Sequence, residues 1–151
     1  MQLVIRNRDK GWLLEQVSRP EPVQVTGRVA WQLPLHFGSP GKAIPTALAK
    51  TDSDEWLAAM TLKLYTDNIK ATRTKLWDDL QHSRRRGDEE DWEEGIEGIR
   101  CVAVPILDAY QRPVGAFRVI SPSMRLPRKR FSDAAQLCGE VAAYARKELV
   151  S

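Results

Sequence analysis

A chain of 151 residues, 42% hydrophobic and 28% charged, has the composition of one globular domain around a single core. No apolar run approaches the roughly eighteen residues of a bilayer span, and MQLVIRNRDKG lacks an export signal's continuous apolar stretch, so neither a membrane protein nor a secreted one is expected. Two cysteines without metal-ligand spacing suggest free thiols in a reducing, cytoplasmic setting with no metal site, and the net charge of +3 is too modest for a dedicated nucleic-acid face.

The chain opens on two extended runs, MQLVIRN and GWLLEQVS, joined by a turn at Arg8-Asp9-Lys10-Gly11. Pro20 and Pro22 interrupt, and VQVTGRVAW resumes extended structure. Gly38, Ser39, Pro40 and Gly41 form a loop that leads into a short helix, with Pro40 suited to its first turn. Pro45 fits that helix only if it too falls in the first turn. Thr51 and Asp54 have capping-box spacing ahead of a second short helix, DEWLAAMTL, and KLYTDNI connects it to a third. That third helix runs from about Thr72 to Arg86, carries Leu76, Trp77 and Leu80 on one stripe, and is ended by Gly87.

Charge then comes in blocks. Arg84, Arg85 and Arg86 precede an acidic run of Asp88, Glu89, Glu90, Asp91, Glu93, Glu94 and Glu97, and a second basic cluster occupies Pro127 to Arg130. Adjacent blocks of opposite sign are expected to solvate one another at the surface. Between them IRCVAVPIL, a polar turn around DAYQRP, and VGAFRVIS read as a β-hairpin. If Leu107 pairs with Val114, alternation puts Val102, Val104, Ile106, Phe117 and Val119 on one face, bulky and ready for helices to cover. Cys101, Ala103, Arg118 and Ile120 share the other face, lined by small groups and bearing one charge. From about Pro127 to Leu149, Phe131, Ala134, Leu137, Cys138, Val141 and Ala145 recur at helical spacing, and this closing helix should pack on the sheet. With strands and helices grouped rather than alternating, the expected class is α+β with an antiparallel sheet.

The stretches QLPLHFGSPGKAI and EEGIEGIRCVAVPILDAYQRPVGAFRVISPSMRL resemble, in combination, the effector-binding domain of the IclR family of bacterial transcriptional regulators, over residues 3–150. The resemblance implies a profilin- or GAF-like fold with a curved, mostly antiparallel sheet, assembly into homodimers or tetramers, and a pocket for a small metabolite. It also implies a winged helix-turn-helix domain that such regulators carry N-terminally, which is not among these residues. The expectation is therefore one effector-binding domain over 1–151, excised or naturally truncated, with DNA contact left to the missing part. Carried over residue by residue, the implied pocket is Ser39, Pro40 and Gly41 with Asp91, Cys101, Arg118 and Ile120. Alternation along the hairpin had already placed the last three on one face.

Two departures from the family pattern change the expected ligand chemistry. Where relatives often carry Ser-x-Ser-Gly, this chain has Arg118-Val119-Ile120-Ser121, which replaces hydroxyls with a guanidinium fork suited to a carboxylate. Pro40 removes one backbone donor from the loop. The effector expected on these grounds is a small keto, hydroxy or sugar acid, bound without cofactor.

Each residue also has a plainer role open to it. Arg118 can pair internally with Asp91 or Glu93, and Asp91 can be one more solvated acid. Cys101 can be core filler, as Cys138 is on the closing helix. Ser39 can belong to an ordinary loop rather than an anion-binding helix start. His36 is structural, bonding a backbone carbonyl, and His82 is solvated. The five tryptophans are divided between core, interface and pocket mouth. Two other functions compete: an oligomerisation domain with a vestigial pocket, and a thiol enzyme built on Asp91, Cys101 and Arg118. The second lacks a histidine placed to activate Cys101, so the domain is read as a non-enzyme.

Overall fold

The computed structural model describes residues 1–69 and 72–150. Six strands, β1 (Gln2–Asn7), β2 (Lys10–Gln16), β3 (Gln32–Pro34), β4 (Glu89–Trp92), β5 (Ile99–Leu107) and β6 (Pro113–Pro122), form one sheet in the order β3-β2-β1-β6-β5-β4. Every neighbouring pair is antiparallel. The α+β expectation therefore holds, and two β-bulges, at Leu3/Val4 and at Ile106/Leu107, bend the sheet.

The hairpin has the expected register over its working part. Cys101 opposes Ile120, Ala103 opposes Arg118 and Val104 opposes Phe117. Only at the turn does it change: the bulge sets Leu107 against Pro113 instead of Val114. The faces follow. On one, α4 (Phe131–Val150) buries Val102 under Leu126, Phe131 and Ala134, with Val119 alongside. Val104 and Phe117, outside that cluster, stay half-buried. The other face carries α1 (Gly38–Thr46), whose Ala43 and Ile44 pack on Ala103 and Ala116. Small strand residues there admit a helix at close range rather than leaving the face open. Beside it, Val4, Leu13, Leu33 and Phe37 complete the core under Tyr65.

Helix α3 (Arg73–Arg86) is built as its residues dictate, since the Thr72 hydroxyl accepts from Lys75 N and Gly87 closes the helix at φ +90°. Arg84 does more than solvate: its guanidinium donates to the carbonyls of Thr46 and Leu48, capping the end of α1. Pro45 falls in the last turn of α1, not the first. Helix α2 (Lys50–Ala59) lacks the expected capping box, because it starts one residue before Thr51, and that hydroxyl meets Asp52 instead of a backbone amide.

Two further expectations fail. VQVTGRVAW contributes no strand: residues 17–31 form a strap whose backbone bonds to β2 lie near its far end, where Ala30 N donates to Leu13 O and Leu13 N to Trp31 O. Val23 and Val29 face solvent and only Val25 is half-buried, so the segment has no apolar sheet face to complete. The acidic run is not a solvated surface either. Glu89, Asp91 and Glu94 are buried: EEDW pairs with β5 as strand β4 and turns Glu89 and Asp91 inward, and Glu94, just past the strand, is buried against Lys42.

Candidate functional site

Asp91 is held in place by a buried ion cluster that the sequence reading missed. Lys42, inside α1, has no exposed surface; its ammonium lies 2.7 Å from Asp79 Oδ2, 2.8 Å from Glu89 Oε1 and 2.9 Å from Glu94 Oε2, and donates to Glu90 O. Thr46 donates to Glu89 Oε2. Burial alone lowers a lysine's affinity for its proton, but the three carboxylates outweigh it and hold Lys42 charged well above the usual lysine range. Glu89 is pushed up to about 7, first by burial, with Lys42 pulling the other way. The cluster fastens β4 to α1 and α3.

From β4, Asp91 projects to the sheet face it shares with Cys101. Its Oδ1 accepts from Glu94 N at 2.7 Å, and the Cys101 thiol donates to Oδ2 at 3.5 Å. Burial, then the Asp91 charge, push the Cys101 thiol up to about 12. The fully buried Ser39 hydroxyl lies beside that thiol without a well-formed hydrogen bond. On the facing strand Arg118 is 3% exposed, and its Nε donates to Gln2 Oε1 at 2.6 Å. Among the described residues no carboxylate lies within ion-pair distance of Arg118, so it is not the internal partner of Asp91 or Glu93; Glu93 pairs with Arg100.

Between the two charges sits Gly38. It adopts φ +63°, and a Cβ there would stand 2.9 Å from Asp91 Oδ2 and 3.9 Å from Arg118 Nη1. The notch between acid and guanidinium thus exists because this residue has no side chain. Gly38→Ala is expected to cost about 1–2 kcal/mol from the left-handed backbone alone, and more as the Asp91 carboxylate is displaced. A denaturant unfolding curve superimposable on wild type would show that the backbone relaxes away from that conformation.

A cavity of about 50 Å³ opens beside the notch, with Asp91, Cys101, Arg118 and Ile120 in its wall. Gln2, Gly27, Trp31, Phe37 and Ile96 close it. Four of the seven residues picked from the sequence therefore converge, and Ser39 backs them. Pro40 sits in the first turn of α1, and Gly41 lets α1 approach β3: a Cβ there would lie 2.6 Å from Pro34 O. Neither lines the cavity. Trp31 meets Phe37 edge-on at 5.5 Å and forms the mouth. His36 is structural, but it accepts from Lys63 N rather than meeting a carbonyl, and burial lowers its pKa. Cys138 is core, its thiol against Val102 O.

The family model described as bacterial transcriptional regulator IclR C-terminal matches residues 1–147. The chain belongs to that family. Among curated relatives of this IclR-family domain, the HTH-type transcriptional repressor AllR of Escherichia coli K12 is 28% identical over 94% of this chain and 52% of its own length. The acetate operon repressor of Salmonella typhimurium LT2 is 28% identical over 91% of this chain and 48% of its own. This chain thus spans about half the length of those repressors. The Thermotoga maritima IclR structure superposes with a TM-score of 0.93 at 23% identity, covering 99% of this chain and 61% of that one. The PobR inducer-binding domain from Acinetobacter, solved as a complex with 3-hydroxybenzoic acid, gives a TM-score of 0.83 at 22% identity, covering 96% and 86%. Those two likenesses establish the fold, which is the one the strand order and helix placement describe.

Proposed function

We propose that this IclR-family domain senses a small hydroxy- or keto-carboxylate and reports its presence to a DNA-binding domain outside these residues. One observation carries the reading: Arg118 is a buried guanidinium, held by a neutral glutamine and by no carboxylate among the described residues, at the wall of a cavity. Burying an unpaired cation costs several kcal/mol, so a fold that keeps one there gains from an anion that arrives later. The two Nη groups left by the Gln2 contact take the carboxylate as a fork. Asp91, across the Gly38 notch, accepts from the ligand's hydroxyl; Cys101 and Ile120 form the floor, and Ser39 supplies a further hydroxyl. The volume suits acids of two or three carbons, since a cavity of about 150 Å³ is what holds benzene.

With its thiol held protonated near neutrality, Cys101 contacts ligand rather than attacking it, so the domain is a receptor and not a thiol enzyme. Leu137 and Tyr144, 48% and 66% exposed along α4, favour self-association into a homo-oligomer. Its setting is the cytoplasm, where an operator-binding protein works.

A melting screen with glycolate, lactate and pyruvate against glycolamide and ethylene glycol tests the anion reading. A ligand at a hundred times its Kd stabilises the native state by about 2.7 kcal/mol, worth about 5–10 °C for a domain of this size. The carboxylates are expected to shift the midpoint and the uncharged analogues to leave it unmoved. Equal shifts from both sets would remove charge from the recognition.

A further inference from the structure

The strap over the cavity has few attachments, and one of them leads to Arg118. Of residues 17–31, only Val25 and Gly27 are even half-buried. At its near end Met1 and Val17 exchange backbone hydrogen bonds. On its outer side Arg125 donates to Val23 O and pairs with Glu21 at 3.3 Å. At its far end Ala30 and Trp31 exchange backbone hydrogen bonds with Leu13, and between the ends its inner attachment is a single amide. Gly27 N donates to Gln16 Oε1 at 2.7 Å. The same oxygen accepts from Gln2 Nε2, and Gln2 Oε1 accepts from Arg118 Nε. Gly27 is where the strap comes nearest, for a Cβ there would lie 2.9 Å from Gln2 Nε2 and collide with Leu13.

We propose that Gln2 and Gln16 form an amide relay that positions the Arg118 guanidinium and locks the strap over the cavity, so that strap closure and arginine placement are one event. The polarity of the relay supports it. Every donor and acceptor along Arg118, Gln2, Gln16 and Gly27 is matched in one sense only, and turning either amide breaks two contacts at once. Gln2 is 1% exposed, so water cannot replace a lost partner cheaply. Behind the strap lies a larger groove of about 580 Å³, and Gln2, Val25 and Ile120 line both spaces. Lifting the strap at Gly27 therefore joins groove to cavity and gives a ligand its way in. On the anion reading above, a carboxylate that fixes Arg118 also tightens the strap, and the closed volume sets the size limit for ligands that do so.

The ligand-free test uses trypsin cleavage after Arg28, an exposed strap position; Arg19 precedes Pro20 and resists cutting. Cleavage of a transiently opened segment follows its open population. Gln2→Glu keeps an acceptor for Arg118 but cannot donate to Gln16. Whichever way Gln16 then turns, Gly27 N or the new carboxylate faces the wrong atom. Gln16→Met, at a half-buried position, removes the link outright. Both variants are expected to be cut about five-fold faster than wild type, the effect of one net hydrogen bond. If Gln16→Met is cut faster and Gln2→Glu at the wild-type rate, the latch is local and the relay is wrong; if neither changes, the strap is held by its other attachments and the proposal falls. Glycolate, added to each protein, separates this from the sensing assignment. It should protect wild type and not Gln16→Met, equal protection of both would sink the coupling, and glycolate that fails to bind wild type in calorimetry counts against the anion reading while the ligand-free comparison still judges the relay.

Discussion

Replacing Lys42 by methionine is expected to destabilise the domain by about 3–5 kcal/mol, the range found when one partner of a buried ionic group is removed. The side chain fits, so little of this is packing. What the change removes is an ammonium that lies within 3 Å of Asp79, Glu89 and Glu94 at once. The pH dependence identifies the cause. Glu89 in the folded protein takes up its proton near pH 7, against 4.5 for an ordinary glutamate, so between those values the native state binds more protons than the unfolded chain. Its contribution to stability is therefore complete below about pH 4.5 and is lost as pH rises through about 7. Without Lys42 the downward pull on Glu89 disappears and its proton is held to still higher pH. The penalty of Lys42→Met should consequently be smaller at pH 5 than at pH 8, by urea unfolding at both. A penalty independent of pH would mean that the loss is steric. In a Glu89→Gln background the part of that pH difference due to Glu89 should vanish.

The same cluster explains why the fold was more legible in the sequence than the site. Alternation along β5 and β6 is a local, period-two signal, and it put Cys101, Ala103, Arg118 and Ile120 on one face correctly despite the bulge at the turn. The Thr72 cap and Gly87 were equally local. By contrast, Glu89, Asp91 and Glu94 lie in a run of acids whose composition indicates solvent, and what makes burying them tolerable is tertiary: the distant Lys42 beside Glu89 and Glu94, and the Glu94 amide and Cys101 thiol on Asp91. No spacing rule connects position 42 to positions 79, 89 and 94. Gln2 and Gln16 escaped notice for the same reason: their meaning arises across strands, where each matters only because the other and Arg118 are in reach. Gly38 was passed over in favour of its neighbours 39–41, since a glycine in a Gly-Ser-Pro-Gly run looks like loop. Its positive φ and the Asp91 carboxylate 2.9 Å from its missing Cβ are tertiary facts.

Arg118→Met should abolish the response to small carboxylates while costing the ligand-free domain far less than Lys42→Met. The two residues are both buried cations, and the contrast between them is the argument. Lys42 has three carboxylates within 3 Å and is part of what holds β4 in place. Arg118 has Gln2, and among the described residues no acid within pairing distance. A cation left without a counter-charge contributes little to folding, because its desolvation is uncompensated until a ligand supplies the charge. Removing it therefore relieves a cost as well as breaking one hydrogen bond, and the ligand-free midpoint should move by no more than a few degrees. Binding is another matter. Truncating one side of a desolvated, hydrogen-bonded charge pair costs about 2–5 kcal/mol, so affinity for glycolate should fall at least about 30-fold by calorimetry. Arg118→Lys keeps the charge but not the planar fork, and Gln2 would lose its fixed donor, so it should fall between the two. Glycolate binding to Arg118→Met with wild-type affinity would remove the arginine from recognition. A collapse of ligand-free stability as large as that of Lys42→Met would mean that Arg118 serves the fold first, and that its freedom from acids has another cause.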